Sequence, residues 1–403
     1  MKLFLLVVLG QILSLFGNAA LRFALPLCLL RQTGSSGLYG TVTALSMLPA
    51  LAGMLAGGAL ADRCRKARLM AVLDLLTTGV SLAAAAGLSC LPLLPVVLLA
   101  LGSLYAIQGL YQPVVRASLP LLLEPHQLVP GNAVIQLVDT VDELLGPLLG
   151  ALLLEHCGLR GLLMLCAACF ALSAGMELCL HIPKDLPGGT AALSVRSLLT
   201  DLTGSMHFLA GQPSILRLTA RMAMVNLLEV PAFTVGIPVL VVQSLQKSDA
   251  ALGFVQAVLS AGGIFGGILA GTWFARHPTW DGSHLLHLLS GICIMLGLVF
   301  RVPALRFHGI LVCGFAFMAA AALFNIWYFA QLQTQIPSSL LGKSTACVTA
   351  LACLTQPLGQ TLYGWAFQQY AAHPADVLLV GGILSVIVLF LFRFYPASFA
   401  GSR

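Results

Sequence analysis

Long apolar runs separated by short polar ones dominate the chain. Segments near 3–30, 37–60, 69–90, 95–117, 132–154 and 161–182 each carry enough apolar residues to cross a bilayer as a helix. A second set follows near 213–243, 250–274, 284–302, 308–333, 342–368 and 376–395. The first run opens as Met1-Lys2 followed by LFLLVVLGQILSLFG, which by itself would pass for a signal peptide. It continues past its small residues to Leu30, so it reads as the first span. The pattern therefore predicts an all-α membrane protein of twelve helices.

Basic residues predict the orientation, because loops on the cytoplasmic side hold an excess of Lys and Arg. With the N-terminus inside, Lys2, Arg63, Arg65, Lys66, Arg68 and Arg116 are among thirteen cytoplasmic bases, against five outside. Both termini are expected in the cytoplasm. A longer polar stretch, 183–212, separates the sixth and seventh spans. It begins with the turn formers of IPKDLPGG. Val195, Leu198, Leu199, Leu202, Met206 and Leu209 then recur at helical spacing. A linker helix lying on the membrane surface fits that pattern. The expected organisation is a six-helix bundle over 1–182, a linker over 183–212 and a second six-helix bundle over 213–403.

Composition narrows the function classes. Of 403 residues, 59% are apolar and only 8% charged, against about 25% charged in soluble domains. That excludes an ordinary soluble enzyme, a nucleic-acid binder and a disordered chain. The formal charge of +6 resides mostly in the short loops. Eleven cysteines, most inside apolar runs, read as small buried hydrophobes rather than a disulfide framework. Cys166 and Cys169 form a CxxC inside an apolar helix without a second Cys or His pair nearby. The nine histidines are scattered, and His284 and His287 lack an accompanying carboxylate motif. No metal site or enzyme is expected. No phosphate-binding G-x-x-x-x-G-K-[ST] occurs either, so ATP drive is not supported.

The two halves echo each other. GMLAGGALA at 53–61 matches GGIFGGILA at 262–270, an offset of 209 residues. Pro147 and Pro357 stand 210 apart, and Asn18 and Asn226 stand 208 apart. A common offset at three places is what an internal repeat of six spans predicts.

The loop between the second and third spans reads GALADRCRKAR. Gly58 permits close helix packing at the membrane edge. Asp62 can accept from helix N-termini or pair with a base, and Arg63, Arg65, Lys66 and Arg68 hold the loop to an anionic surface. The spacing G-x-x-x-D-R-x-x-K resembles the loop motif of the major facilitator superfamily. That family usually has glycine where Arg65 stands. LVDTVDELLGPLLG, with Gly146, Pro147 and Gly150, is similar to the family's antiporter motif. QTQIPSSLLGKSTACVTALACLTQPLGQTLYG resembles the loop before the eleventh span and that span itself. YQPVVRASLPLLLEPHQLVPGNA resembles the turn after the fourth span in the macrolide-efflux-like drug/proton antiporter branch. LSLFGNAALRFALPL also resembles the opening of the lysophospholipid-translocating branch. Many drug/proton antiporters carry an arginine in the fourth span. Here LGSLYAIQGLYQP offers Tyr105 and Gln108 and no base.

Charges within spans are costly, about 2.5–3.5 kcal/mol each at the bilayer centre. Arg22 in the first span, Asp139, Asp142 and Glu143 in the fifth, and Glu229 in the seventh are such charges. The three acids of the fifth span stand at i, i+3 and i+4, on one helical face. Three carboxylates so close in low dielectric are not expected all to ionise, which fits a proton carrier. The alternative is a fixed network with Arg22. If Asn18 and Asn226 are repeat equivalents, Arg22 and Glu229 sit at similar depth, and Glu229 and the fifth-span acids would compete for Arg22. Asp74 and Glu177 lie nearer the inner ends of their spans, and the resemblance makes Asp74 a partner of the basic loop. The glycines of the echo and the bends at Pro147 and Pro231 fit an interface between rocking halves. Trp273, Trp280 and Trp365 read as interfacial anchors, whereas Trp327 and Tyr328 have a claim on a substrate cavity.

The sequence thus predicts a secondary transporter of the major facilitator fold. Its expected activity is proton-driven export of amphipathic or hydrophobic compounds, with lysophospholipid translocation as the alternative. It is expected to need no cofactor beyond a proton gradient. It would reside in the plasma membrane as a monomer, with small amphipathic substrates and lipid as its partners and no nucleic acid.

Overall fold

The computed structural model describes residues 2–124, 127–179, 211–276, 280–336 and 338–394. The linker segment 183–210, with its predicted amphipathic helix, lies outside them. The described residues are helical nearly throughout. In chain order the helices are α1 (Lys2–Thr33), α2 (Ser36–Arg63), α3 (Lys66–Gly87), α4 (Leu93–Leu122), α5 (Leu128–Leu178) and α6 (Pro213–Leu228). Two π-helical stretches, Ala232–Gly236 and Leu240–Ser244, continue α6 around the short turn Ile237–Val239. Then come α7 (Asp249–Arg276), α8 (His284–Phe300), α9 (Arg306–Gln335), α10 (Ser338–Cys353), α11 (Gln356–Gln369) and α12 (Pro374–Phe394).

Among the described residues, nine helical segments are long and apolar enough to cross a membrane, and α8 is a shorter apolar helix. One of the nine, within α5, holds two expected spans. Gly158 breaks it with φ 65° and ψ 173°, a conformation that favours glycine because it carries no Cβ. The expected eleventh span is likewise interrupted. It runs as α10 and α11 around Leu354 and Thr355, with Pro357 in the first turn of α11, where its missing N–H leaves no hydrogen bond unmade.

Contacts divide the chain into two units. One holds residues 1–35, 42–191 and 247–257, and the other holds 36–41, 192–246 and 258–403. In the first unit α1 lies along α5, and α3 packs on α5 and α4. In the second, α8 packs on α12 and α9, and α6 meets α10, α11 and α12. Both cores are built of aliphatic and aromatic side chains, such as Leu21, Leu25, Met70 and Phe170 in one and Phe233, Phe300, Phe317 and Tyr328 in the other. Many leucines and isoleucines outside these cores are exposed, among them Leu99, Ile268, Val312 and Leu391, as expected of helices whose other solvent is lipid.

The sequence echo reappears as an echo of contacts. In the first unit Gly53 of α2 lies against the Ala106 carbonyl of α4. In the second, Gly262 of α7 lies against the Phe315 carbonyl of α9. Each member of the second pair stands 209 residues after its counterpart. Gly150 of α5 meets Ala20 of α1, and Gly359, again 209 later, meets the Leu227 carbonyl of α6. A side chain at Gly262 would collide with backbone, which cannot step aside as a flexible side chain can. Gly262→Val is therefore expected to destabilise the protein by about 1–3 kcal/mol. Gly263→Val faces open space and should be nearly neutral in the same thermal-unfolding measurement.

Candidate functional site

The acids of α5 are positioned by close packing against α1. Gly146 abuts Ala19 and Gly150 abuts Ala20, so the α5 backbone approaches α1 one turn beyond the carboxyl groups. Arg22 leaves α1 near this contact. Its guanidinium lies over the Tyr105 ring of α4, 4.1 Å from the centroid, a distance at which the ring face attracts a cation. Asp142 and Glu143 are both within electrostatic reach of Arg22. Asp139 instead pairs with Arg116 of α4 at 3.9 Å. The predicted common face of Asp139, Asp142 and Glu143 is thus shared between two bases. Asp142 Oδ1 is buried with no hydrogen-bond partner among the described residues. Gln108, one turn from Tyr105, and Gln112 each have a buried side-chain oxygen in the same condition.

Glu229 follows the last residue of α6, where the α-helix gives way before Pro231 and the π-helical stretch. It is fully buried inside the second unit. Ser290 of α8 donates to its Oε1, and Ser290 is in turn linked to Ser385 of α12 at 3.2 Å. The disturbed helix end exposes carbonyls that side chains then satisfy. The Tyr363 hydroxyl donates to the Leu228 carbonyl, and Thr355 donates to Ala223 at 2.8 Å. Asn226 is spent on the Ala352 carbonyl at 2.9 Å, and Asn18 on Ser14 of its own helix at 3.4 Å. Glu229 thus has hydroxyl partners in its own unit, and Arg22 has aromatic and acidic ones in the other.

The loop side chains of Asp62 and Arg63 lie outside the described residues, and Asp74 is packed inside the first unit. It is 1% exposed, and Ser14 of α1 donates to its Oδ1 at 2.8 Å. Glu177 near the end of α5 is equally buried and accepts from the Tyr111 hydroxyl of α4. Depth along the sequence placed both acids near a membrane edge, but α1, α4 and α5 close over that end of α3. Tyr111, Ser14 and Ser173 had no signal of their own in the sequence, since each is a lone polar residue in an apolar run.

Of the loop motif, Gly58, Asp62 and Arg63 close α2, and their side chains lie outside the described residues. Lys66 opens α3 and is buried. Arg65, standing where the family usually has glycine, has φ −65° and ψ 112°. Any residue adopts that conformation, so the turn does not need glycine. Tyr328 is packed into the second unit. It stacks on Phe324 with centroids 5.8 Å apart, and its hydroxyl lies 2.8 Å from Thr219. Trp327 packs against Gly282. Trp273 and Trp280 meet edge to face at 6.0 Å, and Trp365 is exposed. All eleven cysteines are free. Among the described residues, no cluster of three or more His, Cys, Asp or Glu groups could hold a metal.

The family model described as Major Facilitator Superfamily matches residues 7–360. The chain belongs to the major facilitator superfamily. It is therefore a multi-pass membrane protein of a transporter family. Its curated relatives include the enterobactin exporter EntS of Shigella boydii serotype 4 (strain Sb227), 25% identical over 96% of this chain and 92% of that protein. The enterobactin exporter EntS of Escherichia coli O81 (strain ED1a) matches with the same identity and coverage. Among solved structures, a variant of the nucleoside transporter NupG superposes with TM-score 0.76 at 15% identity, over 97% of this chain and 99% of the other. A bacterial homologue of the iron transporter ferroportin in its inward-facing state gives TM-score 0.69 at 15% identity, over 98% and 99%. At such identities these structures speak for the fold, and they agree with the sequence-predicted major facilitator architecture.

Proposed function

We propose that this superfamily member is a proton-coupled exporter of amphipathic or hydrophobic compounds. The observation that carries the reading is the setting of Asp142. Arg22, Asp139 and Glu143 all act on it electrostatically, and its Oδ1 is buried with no hydrogen-bond partner among the described residues. An uncompensated negative charge is expensive in a low-dielectric interior, and a proton removes it. Loading a proton on Asp142 would loosen its hold on Arg22, while Tyr105 keeps the guanidinium in place. A difference in that hold between outward- and inward-open states is what couples proton entry to alternating access. Arg22 thereby takes the part that a fourth-span arginine plays in many antiporters of the resemblance. Export, rather than uptake, is favoured by the enterobactin exporters among the curated relatives.

In this reading, two six-helix halves, 1–182 and 213–403, rock about a midplane site. Residues 183–212 join them on the cytoplasmic side, and both termini lie in the cytoplasm. The protein works in the plasma membrane as a monomer, with the proton gradient as its only energy source and no bound cofactor. Tyr105 and Gln108 line the substrate path.

Everted membrane vesicles test the proposal. The panel would contain enterobactin, a macrolide, a lipophilic cationic dye and a lysophospholipid. At least one of the first three is expected to enter the vesicles when a pH gradient is imposed, and to stop entering when a protonophore collapses it. Movement of lysophospholipid alone, indifferent to the gradient, would replace this reading with lipid translocation.

A further inference from the structure

A second polar cluster in the first unit, apart from Arg22 and the acids of α5's first half, has no place in that transport scheme. It gathers residues from four helical segments. Asp74 comes from α3, Tyr111 from α4, Ser173 and Glu177 from the later part of α5, and Gln11 and Ser14 from α1. Asp74 and Glu177 are 1% exposed, and Gln11 and Ser173 are fully buried. The two carboxyl groups act electrostatically on each other, and Tyr111 is within reach of both. The α1 backbone comes close here. A Cβ on Gly10 would stand 3.3 Å from Ser173 Oγ and 3.9 Å from Glu177 Cγ. Gln11 follows Gly10 and lies one turn before Ser14, which bonds Asp74, so it belongs to the same face of α1.

The hydrogen bonding is lopsided toward acceptors. Ser14 donates to Asp74 and Tyr111 to Glu177, and the Ser173 hydroxyl, also in reach of Asp74, has a single proton to give. The Ser173 proton goes to the Gly10 carbonyl at 2.9 Å, which leaves the Ser173 oxygen as a further acceptor. Asp74 Oδ2, Glu177 Oε2 and both polar atoms of Gln11 are buried without hydrogen-bond partners among the described residues. Buried polar atoms in native proteins are nearly always satisfied, and exceptions point to a ligand. Oxygen-rich, anionic surroundings suit a hard cation. Two carboxyl groups this close in low dielectric are not expected both to ionise, and the single negative charge that remains, among neutral oxygens, suits a single positive charge.

We propose that Asp74, Glu177 and the Gln11 carbonyl oxygen, with Ser173 Oγ, form a binding site for a monovalent metal cation, Na+. The ion neutralises part of the buried charge and ties α1, α3 and α5 together. The proposal stands independently of proton-coupled export.

The test uses the purified full-length chain in detergent, unfolded thermally at constant ionic strength while NaCl replaces choline chloride. Na+ is expected to raise the midpoint saturably by several degrees, as a ligand of the native state alone does. Glu177→Gln and Gln11→Leu should lose most of that rise while unfolding in choline near the unmodified protein. Direct binding of radioactive Na+ should saturate at one ion per chain. Coincident NaCl and choline curves in the unmodified protein would overturn the proposal, and that comparison needs no variant to fold. Retention of the full Na+ response in both variants would overturn the assignment as well. A response to acidification with none to Na+ would make the cluster a proton site instead.

Discussion

Asp142→Asn is expected to reduce gradient-driven export to the level of protein-free vesicles while the protein still folds and inserts. The substitution keeps the size of the side chain and removes the carboxylate that a proton could load. Asp142 is singled out from its neighbours by its partners. Asp139 is held by Arg116 at 3.9 Å, whereas Asp142 keeps a buried oxygen with no hydrogen-bond partner among the described residues. Substrate exchange down its own gradient, with no pH difference imposed, should survive, because alternation itself does not require the proton to leave. Asp139→Asn should have a much smaller effect on the same flux. Equal losses for both variants would mean that the acids of α5 form one structural network with the two bases.

Arg22→Ala is expected to destabilise the first unit. It removes a positive charge that acts on Asp142 and Glu143 and empties the face of Tyr105. Breaking a fully buried pair by deleting one partner costs about 3–5 kcal/mol, but Arg22 and Asp142 are half-buried and Glu143 is exposed, so the expected loss is smaller, about 1–2 kcal/mol. The deficit comes mostly from the stranded carboxylates, so the double variant Arg22→Ala with Asp142→Asn should recover a large part of it. Arg22→Lys retains the charge but gives up the planar fit on Tyr105, and should fall between. Thermal unfolding of five proteins in one detergent measures all of this: the unmodified chain, Arg22→Ala, Arg22→Lys, Asp142→Asn and the double variant. Additive losses in the double variant would show that Arg22 and Asp142 do not interact.

The spans were legible because length and hydropathy alone decide whether a helix suits a bilayer. The second-half helices begin and end within a few residues of their expected limits, from Pro213 to Phe394. The repeat was legible too, and its physical content turned out to be close backbone contact. Gly53 and Gly262, matched as letters, each sit on a neighbouring carbonyl. What could not be read was rotation about the helix axis. A soluble helix shows its buried stripe by contrast with its polar face, whereas a membrane helix is apolar toward lipid and protein alike. So Arg22 could be placed at a depth but not assigned to Tyr105, and nothing in the sequence pointed Asp74 to Ser14. The Glu177–Tyr111 bond joins residues 66 positions apart, with no local pattern to announce it. The break after Glu229 was half visible, since Pro231 signals a disturbed helix. The π-helical continuation and the serines that receive the carboxyl group were not.

Proton movement on substrate addition tests the central claim most directly. The purified protein would be reconstituted into vesicles containing a pH-sensitive dye, and a transported amphipathic compound would be added with no gradient imposed. The account predicts a substrate-dependent pH change inside the vesicles, in the sense of exchange, that disappears in Asp142→Asn. Substrate movement at a normal rate with no change in internal pH would contradict it.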